Sequence, residues 1–341
     1  MSYQVTIGIP FYNAEEFIRR TMDSVLAQTF LSIEFLVVDD CSTDDSMAVV
    51  EQLKADHRRG GDIRIIKQPR NMGVATARNR IIDEALGDYL YFMDSDDVIA
   101  ENTIELMMEN VRQYDAEIVF GSYEKIEISG EKILYQYPAL QLLKEDELPI
   151  FAYRKYGGVQ ASACNYLVRT SVLREHHHRF INTNYWEDLV FTFDLVTMIK
   201  RAVLLPDITY SYLCRANSLS QYQTREHVSK DEILKNVHSI EHLKQTSSIL
   251  YNKVYFPNRC FNIMMTDFYI ACQILKRRKY IMPSFSNREI RAILSYPCTF
   301  RQICFFRQSR LKNLALFLLS KLPPLLSVAA IWVIGKAKKL L

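Results

Sequence analysis

The sequence lacks the short motifs that mark the commonest cofactor, metal and nucleic-acid sites. Its seven cysteines are scattered singly, without a Cys-x-x-Cys pair, which argues against a zinc site or a disulfide framework and favours a reducing compartment. Neither a Gly-x-Gly-x-x-Gly motif nor a lysine-bearing phosphate loop occurs, so a dinucleotide site and a P-loop are not predicted. No motif of DNA- or RNA-binding proteins accompanies the basic residues, so we expect no nucleic-acid partner.

Long apolar runs and a secretory leader are also missing. The chain passes directly into an apolar segment at Val5 without a basic leader and cleavage site, so no signal peptide and a cytoplasmic location are expected. Near the other end, Leu314–Leu319 and Leu325–Gly335 are apolar, but each is shorter than the roughly 20 residues that a spanning helix needs. Lys321 and two prolines separate them, which favours a helix lying in the membrane interface over one that crosses it.

Positive charge is concentrated in the last part of the chain, although the net charge is only +3. Residues 276–341 contain 14 lysines and arginines against a single acidic residue, Glu289. A basic tail on an acidic body suggests an anionic surface as partner. We therefore expect residues 226–341 to form a basic helical extension that contacts a membrane peripherally, with an ordinary buried helical hairpin as the alternative.

The first third of the chain alternates apolar segments with amphipathic ones. This pattern predicts helices that connect five strands, at Val5–Ile9, Ile33–Asp39, Ile63–Lys67, Tyr89–Met93 and Glu117–Tyr123. Continuous apolar strands separated by helices imply an α/β fold, with a mainly parallel sheet covered on both faces. In such sheets, ligands bind beyond the carboxyl ends of the strands.

Polar and acidic residues gather at those strand ends. The motifs are Pro10-Phe11-Tyr12-Asn13, Val37-Val38-Asp39-Asp40-Cys41-Ser42-Thr43-Asp44, Asn71 to Asn79, and Asp94-Ser95-Asp96-Asp97. In the last motif three carboxylates occur within four residues, and such a group repels itself unless a cation lies among them. This strand end therefore predicts a divalent metal site that holds a phosphorylated ligand.

Taken together, these four motifs resemble the nucleotide-sugar-binding part of the family 2 glycosyltransferases, which have the GT-A fold. The resemblance is close over residues 3–125 and loose over 126–220. It implies a Rossmann-like sheet flanked by helices and an inverting transfer of sugar from a nucleotide donor, with UDP favoured. The acceptor would be a hydroxyl of a saccharide or of a lipid-linked glycan, as in cell-surface polysaccharide synthesis.

The resemblance also assigns roles to residues at the donor side. Asp39 would bind the nucleotide base, and Asp96 would hold the Mn²⁺ or Mg²⁺ that bridges the diphosphate. The remaining donor contacts would come from Pro10, Tyr12, Arg78, Asp94 and Ser95. A divalent cation is useful because the leaving nucleoside diphosphate gains charge as the glycosidic bond breaks. Each assignment has a structural alternative, since such residues also cap helices and form turns.

The catalytic base is expected further along the chain. Trp186-Glu187-Asp188 precedes an apolar helix and resembles the family's Glu-Asp motif, with Asp188 as base and Glu187 orienting the site. The alternative is that both acids only favour the start of a helix through its dipole. Trp186 could stack on an acceptor sugar or be buried. Arg215, in a loop that resembles one closing over the donor diphosphate, would supply a cation.

The predicted organisation therefore has three parts. Residues 1–125 would bind the nucleotide-sugar, 126–225 would bind the acceptor and supply the base, and 226–341 would form the helical extension. A sugar-phosphate nucleotidyltransferase is an alternative function, although its usual glycine-rich N-terminal loop is missing. A protein that binds sugar nucleotides without catalysis is another alternative.

Overall fold

The computed structural model describes residues 3–154, 158–183, 186–215 and 228–341. These residues form two compact units. Unit 1 comprises the described residues of Met1–Leu148 and Ala161–Ser218, and unit 2 those of Pro149–Gln160 and Leu219–Leu341.

Unit 1 is built on one mixed β-sheet. Its strands are β1 (Val5–Phe11), β2 (Ile33–Asp39), β3 (Ile63–Lys67), β4 (Tyr89–Phe92), β5 (Val98–Ile99), β6 (Ile118–Ile126), β7 (Lys132–Tyr135), β8 (Leu140–Leu142), β9 (Tyr166–Arg169) and β10 (Ala202–Leu213). The main path through the sheet runs β3-β2-β1-β4-β9-β6-β10-β5. Strands β1 to β4 pair with one another in parallel, whereas β9 runs antiparallel to both β4 and β6.

Helices alternate with the first strands, as the sequence predicts. The helices up to residue 195 are α1 (Glu15–Leu26), α2 (Ser46–Asp56), α3 (Val74–Glu84), α4 (Thr103–Tyr114), α5 (Glu147–Arg154), α6 (Thr170–Glu175) and α7 (Glu187–Leu195). Every residue of β1, β2 and β4 is buried. Continuous apolar strands are expected where helices cover both faces of a sheet, so the predicted α/β architecture is confirmed.

Unit 2 is helical. Its helices after residue 227 are α8 (Lys230–Thr246), α9 (Phe256–Arg277), α10 (Asn287–Ile293), α11 (Phe300–Cys304), α12 (Arg310–Lys321) and α13 (Pro324–Ala337), with a short parallel pair of β11 (Val228–Ser229) and β12 (Ile281–Met282). Capping boxes at Ser229, Ser286 and Thr299 start α8, α10 and α11. Among the described residues, no helix combines the length and apolar character needed to span a bilayer.

A buried polar network crosses the middle of the sheet in unit 1. Asn165 adopts φ 63° just before β9, and its amide nitrogen donates to the carbonyls of Gly121 and Ser122 at 2.7 and 3.1 Å. Its amide oxygen accepts from Thr209 Oγ1 at 2.7 Å. A Cβ on Gly121 would lie 1.9 Å from that same Thr209 oxygen, so only glycine fits there. Asn165 therefore joins β6, β9 and β10 through side-chain bonds.

We predict that Asn165→Ala destabilises unit 1 by about 3 kcal/mol. The substitution leaves buried carbonyls and a hydroxyl unpaired, and it puts alanine into a left-handed backbone conformation. Asn110→Ala is the matched control, because that side chain only bonds back to Leu106 within its own helix. The control should change the free energy of unfolding by less than about 0.5 kcal/mol in urea denaturation. Equal effects of the two substitutions would contradict this role of Asn165.

Candidate functional site

The loops that follow β1 and β2 are held together at the carboxyl edge of the sheet. Asn13 has φ 48°, and its side-chain oxygen accepts from the backbone N–H of Thr43 at 2.8 Å. The Asn13 backbone N–H in turn donates to Ser42 Oγ at 3.1 Å. The spacing of Asn13 and Glu16 resembles a capping box, but Ala14 is the N-cap of α1. Asn13 therefore links two loops and does not cap the helix.

Asp40 organises the loop that leads into α3. Its carboxylate accepts from the backbone N–H groups of Met72 and Gly73 at 2.8 and 2.7 Å, and from Gln68 at 2.6 Å. Gly73 has φ 87°, a conformation that favours glycine, and it immediately precedes α3. The sequence motif Asn71 to Asn79 thus has a structural role in its first residues, because it positions α3 at the site.

Asp39 is fully buried at the end of β2 and has a free acceptor. Its Oδ1 accepts from the Ser42 backbone N–H at 2.8 Å. Its Oδ2 is buried and has no hydrogen-bond partner among the described residues. An unsatisfied buried acceptor costs about 1–3 kcal/mol, so it marks a place where a ligand donor would be favourable. Pro10 is buried in the adjacent strand, and Tyr12 is about half exposed in the loop beyond it.

Arg78 connects the two acidic motifs of the site. This buried guanidinium on α3 donates through Nη2 to Asp94 Oδ1 at 2.8 Å and through Nη1 to Glu187 Oε1 at 2.9 Å. It also lies over the Phe180 ring, 5.4 Å from the centroid. Burial lowers the pKa of Arg78, but Asp94 and Glu187 outweigh it and raise that pKa well above its ordinary value. Arg78 is therefore a permanent cation between two carboxylates.

The three aspartates after β4 have different partners. Asp97 is buried and accepts from the Tyr210 hydroxyl at 2.6 Å and from the Leu213 backbone N–H at 2.8 Å. Burial, followed by the charges of Asp94 and Asp96, raises the pKa of Asp97 to about 8. The Asp97 side chain therefore fastens the loop after β4 to β10. Ser95 lies half-buried between Asp94 and Asp96.

Asp96 is paired with Arg215. The Arg215 Nε donates to Asp96 Oδ2 at 2.6 Å, and the guanidinium lies over the Phe17 ring at 4.8 Å. Burial and the neighbouring Asp94 raise the pKa of Asp96, while Arg215 opposes them. The loop predicted to close over the diphosphate continues through residues 216–220, which lie outside the described residues.

The aspartates after β4 offer carboxylate oxygens that suit a metal ion whose remaining ligands would come from a bound substrate. Among the described residues, no group of three or more His, Cys, Asp and Glu could hold an ion by itself. Mg²⁺ usually binds one or two carboxylates together with substrate phosphates and waters. Asp96, with Asp94 two residues before it, fits that donor set. Burial and then the Asp94 charge raise the pKa of Asp96, and a bound cation would oppose both effects.

Glu187 and Asp188 begin α7, immediately after a strained residue. Trp186 is half-buried and adopts φ 60°, a left-handed conformation that is uncommon for a bulky residue. Burial, and then the charge of Glu187, raises the pKa of Asp188 to about 7, while Arg78 opposes the shift. Asp188 also accepts from the Leu189 backbone N–H at 2.7 Å. The helix dipole alone does not account for the two acids at the start of α7, because Glu187 accepts a hydrogen bond from Arg78 of α3.

No sequence pattern predicts the cluster of aromatic rings that lies beside Arg78. The rings of Phe180 and Phe191 stack in parallel with centroids 3.8 Å apart, and Phe92 meets Phe180 edge-on at 5.4 Å. Phe92 and Phe191 belong to apolar segments, so no sequence signal separates them from ordinary core residues. Phe180 follows a polar run and carries no motif either.

We predict that Arg78→Met destabilises unit 1 by about 3 to 5 kcal/mol, because it leaves two carboxylates without their buried cation. Arg80→Met is the matched control on the same helix, since Arg80 makes only an exposed pair with Glu84. The control should shift stability by less than about 0.5 kcal/mol. Urea unfolding of both variants measures the difference, and a small loss for Arg78→Met would refute the bridging role.

The family model described as "Glycosyl transferase family 2" matches residues 6–176. GlyG, a glycosyltransferase of Streptococcus pneumoniae serotype 4, is 28% identical over 227 residues, which are 64% of this chain and 73% of GlyG. The succinoglycan biosynthesis protein ExoO of Rhizobium meliloti is 26% identical over 230 residues, 66% of this chain and 64% of ExoO. The chain spans half or less of several other curated glycosyltransferases.

The fold is similar to that of a solved structure. Residues 1–349 of S. aureus TarS, crystallised in complex with UDP-GlcNAc, match with a TM-score of 0.65 at 18% identity, covering 93% of this chain and 90% of that chain. At that identity the likeness concerns the fold alone. The family model covers half of the chain and includes the motifs after β1, β2 and β4. The chain therefore belongs to glycosyl transferase family 2, as its strand-end motifs predict.

Proposed function

We propose that the protein is an inverting glycosyltransferase that moves a sugar from a UDP-linked donor to a hydroxyl of a saccharide or lipid-linked glycan. The observation that carries this proposal is the Arg78 bridge, which brings Asp94 of the acidic strand end next to Glu187-Asp188. A donor site and a base must be adjacent for direct transfer. The ExoO name, which refers to succinoglycan biosynthesis, supports a cell-surface polysaccharide as product.

The donor nucleotide would bind at the ends of β1 and β2, within residues 1–125. Asp39 Oδ2, which is buried without a partner among the described residues, would accept an N–H from a nucleobase, and uracil offers one on its pairing edge. Pro10 and Tyr12 would line this pocket. Arg78, Asp94 and Ser95 would contact the ribose, diphosphate or sugar. The TarS complex with UDP-GlcNAc supports the choice of a UDP-sugar.

The diphosphate would lie against Asp96 and Arg215. A Mn²⁺ or Mg²⁺ held by Asp96 would stabilise the growing negative charge of the leaving group. Arg215 pairs with Asp96 at 2.6 Å and is partly exposed, so its guanidinium can turn toward a phosphate when that carboxylate binds metal. Asp96 would hold the metal ion, and Arg215 would contact the diphosphate.

Residues 126–225 would bind the acceptor and supply the base. Asp188 would take the proton of the acceptor hydroxyl while that oxygen attacks the anomeric carbon. The bond from the anomeric carbon to the phosphate oxygen breaks, and UDP leaves with its electron pair. Glu187, held by Arg78, would orient this half of the site. Trp186 would stack against an acceptor sugar.

We predict that the wild-type protein releases UDP from a UDP-sugar in the presence of Mn²⁺ and an acceptor, and that Asp188→Asn lowers kcat at least about a hundredfold. Because the base works only when deprotonated, wild-type kcat/KM should rise with pH and level off above about 7. Exposed Asp207→Asn is the control and should keep wild-type activity. Undiminished transfer by Asp188→Asn would refute Asp188 as the base. Pyrophosphate release from a nucleoside triphosphate and a sugar phosphate would refute the proposed glycosyl transfer.

The same variant has a stability signature that separates loss of the base from misfolding. The folded-state pKa of Asp188 lies above its ordinary value, so the ionised carboxylate weakens the fold as pH rises. Asp188→Asn should therefore unfold at higher urea than wild type above pH 7. This gain should shrink as pH falls from about 7 and vanish below about 3, where the carboxyl is protonated in both states.

We predict that Asp39→Asn and Asp96→Asn weaken UDP binding in different ways. Asp39→Asn should lower UDP affinity about tenfold with or without Mn²⁺, since it removes an acceptor for the base. Asp96→Asn should abolish only the increase in affinity that Mn²⁺ produces. Isothermal titration with UDP measures both, and exposed Asp45→Asn is the control. A Mn²⁺ effect that survives in Asp96→Asn would exclude Asp96 as the metal ligand.

We also propose that the enzyme works peripherally at the cytoplasmic face of the membrane. Residues 226–341 would form the contact, because their charge is strongly positive and two of their helices are apolar. A lipid-linked acceptor would be presented at such a surface.

A further inference from the structure

Helices α12 and α13 expose apolar side chains to solvent in unit 2. The larger exposed ones form what we call the α12–α13 surface: Leu311, Leu318, Leu325, Leu326, Trp332 and Val333. Leu311 and Leu325 are 78% and 70% exposed, and Trp332 is 48% exposed. Contiguous exposed apolar patches on soluble proteins usually mark a site of interaction.

The periodicity of α13 separates a packed face from an outward face. Ser327, Ile331 and Gly335 recur every four residues and are buried. A Cβ at Gly335 would lie 2.9 Å from the Cys272 sulfur, so this face packs tightly on α9. Leu325, Ala329, Trp332 and Val333 lie on the other side at helical spacing and are all exposed. Helix α13 is therefore apolar on both faces, but only one face is covered within the described residues.

The segment that contains α12 and α13 carries positive charges and no negative ones. Residues 301–341 contain no Asp or Glu, and their basic residues are Arg301, Arg307, Arg310, Lys312, Lys321, Lys336, Lys338 and Lys339. Lys336 lies over the Trp332 ring at 3.9 Å, and Lys321 over the Phe317 ring at 5.2 Å. Long lysine stems lying along aromatic rings can keep their charges at a polar boundary while the apolar side chains are buried.

We propose that the α12–α13 surface docks on an anionic lipid bilayer. Leu325, Trp332 and Val333 would enter the boundary between headgroups and acyl chains, and Lys321 and Lys336 would contact the headgroups. The charge selects this occupant over a second copy of the chain, since two copies would bring the same uncompensated positive charges together. This inference adds a membrane-docking surface to the proposed function. It rests on that function only for the lipid-linked acceptor.

Vesicle sedimentation tests the docking surface with the full chain. Wild-type protein should bind vesicles of equal parts phosphatidylglycerol and phosphatidylcholine at least tenfold more tightly than vesicles of phosphatidylcholine alone. The double variant Leu325→Ser, Trp332→Ser should lose at least tenfold on the anionic vesicles. The double variant Lys321→Glu, Lys336→Glu should lose the preference for anionic lipid. Wild-type protein that ignores lipid charge, or apolar variants that bind as wild type does, would overturn the proposal.

Matched controls separate this surface from general stickiness. Leu31→Ser in unit 1 and Ile249→Ser in unit 2 remove apolar side chains that are even more exposed and that belong to neither α12 nor α13. Both should bind anionic vesicles as wild type does, and a loss in them equal to that of Leu325→Ser, Trp332→Ser would contradict the proposal. Analytical ultracentrifugation completes the test, because a dimer that Leu325→Ser, Trp332→Ser dissociates would identify a second copy as the occupant.

Lipid binding is measured without donor or acceptor, so its outcome is independent of the transfer assay. A chain that binds anionic vesicles but releases no UDP would keep the docking surface and refute the proposed reaction. A chain that releases UDP but ignores anionic vesicles would keep the reaction and refute the docking surface.

Discussion

The site depends on one buried arginine. A guanidinium can be buried only when nearby charges compensate for lost hydration, and Arg78 obtains that compensation from Asp94 and Glu187. These carboxylates belong to segments that carry different halves of the proposed reaction, the donor loop after β4 and the start of α7. The ion pairs therefore hold the acidic loop after β4 next to the start of α7. It also holds Glu187 beside Asp188, whose pKa is raised by burial and then by the charge of Glu187.

Three aspartates within four residues are tolerated because each has its own electrostatic environment. Asp94 pairs with Arg78, Asp96 with Arg215, and Asp97 with a tyrosine hydroxyl and a backbone N–H. Burial and mutual repulsion raise the pKa of Asp97 to about 8, so this carboxyl holds its proton near neutral pH and adds little negative charge. Asp96 therefore pairs with Arg215 without a further cation being needed for Asp97.

Helix α13 packs into unit 2 and also exposes apolar side chains. From sequence alone, Leu325–Gly335 favours an interfacial membrane helix, with a buried helical hairpin as the alternative. In unit 2, α13 packs one face against α9 and α10 and leaves the opposite face exposed. The two readings are therefore compatible, because a helix that is apolar on all sides can contribute to a core and still offer a surface to lipid.

The sequence by itself determined the alternation of strands and helices over residues 5–123 and the position of the acidic motifs at strand ends. Both follow from local patterns, since continuous apolar runs require burial on both sides and ligands bind where parallel strands end. The tertiary structure decided which charged side chains pair with one another. Arg78 and Glu187 are 109 residues apart, and they meet only because the strands between them, including antiparallel β9, return the chain to the same sheet. Likewise, the sequence does not show that Asp39 Oδ2 lacks a hydrogen-bond partner. Only the positions of the neighbouring donors among the described residues show it.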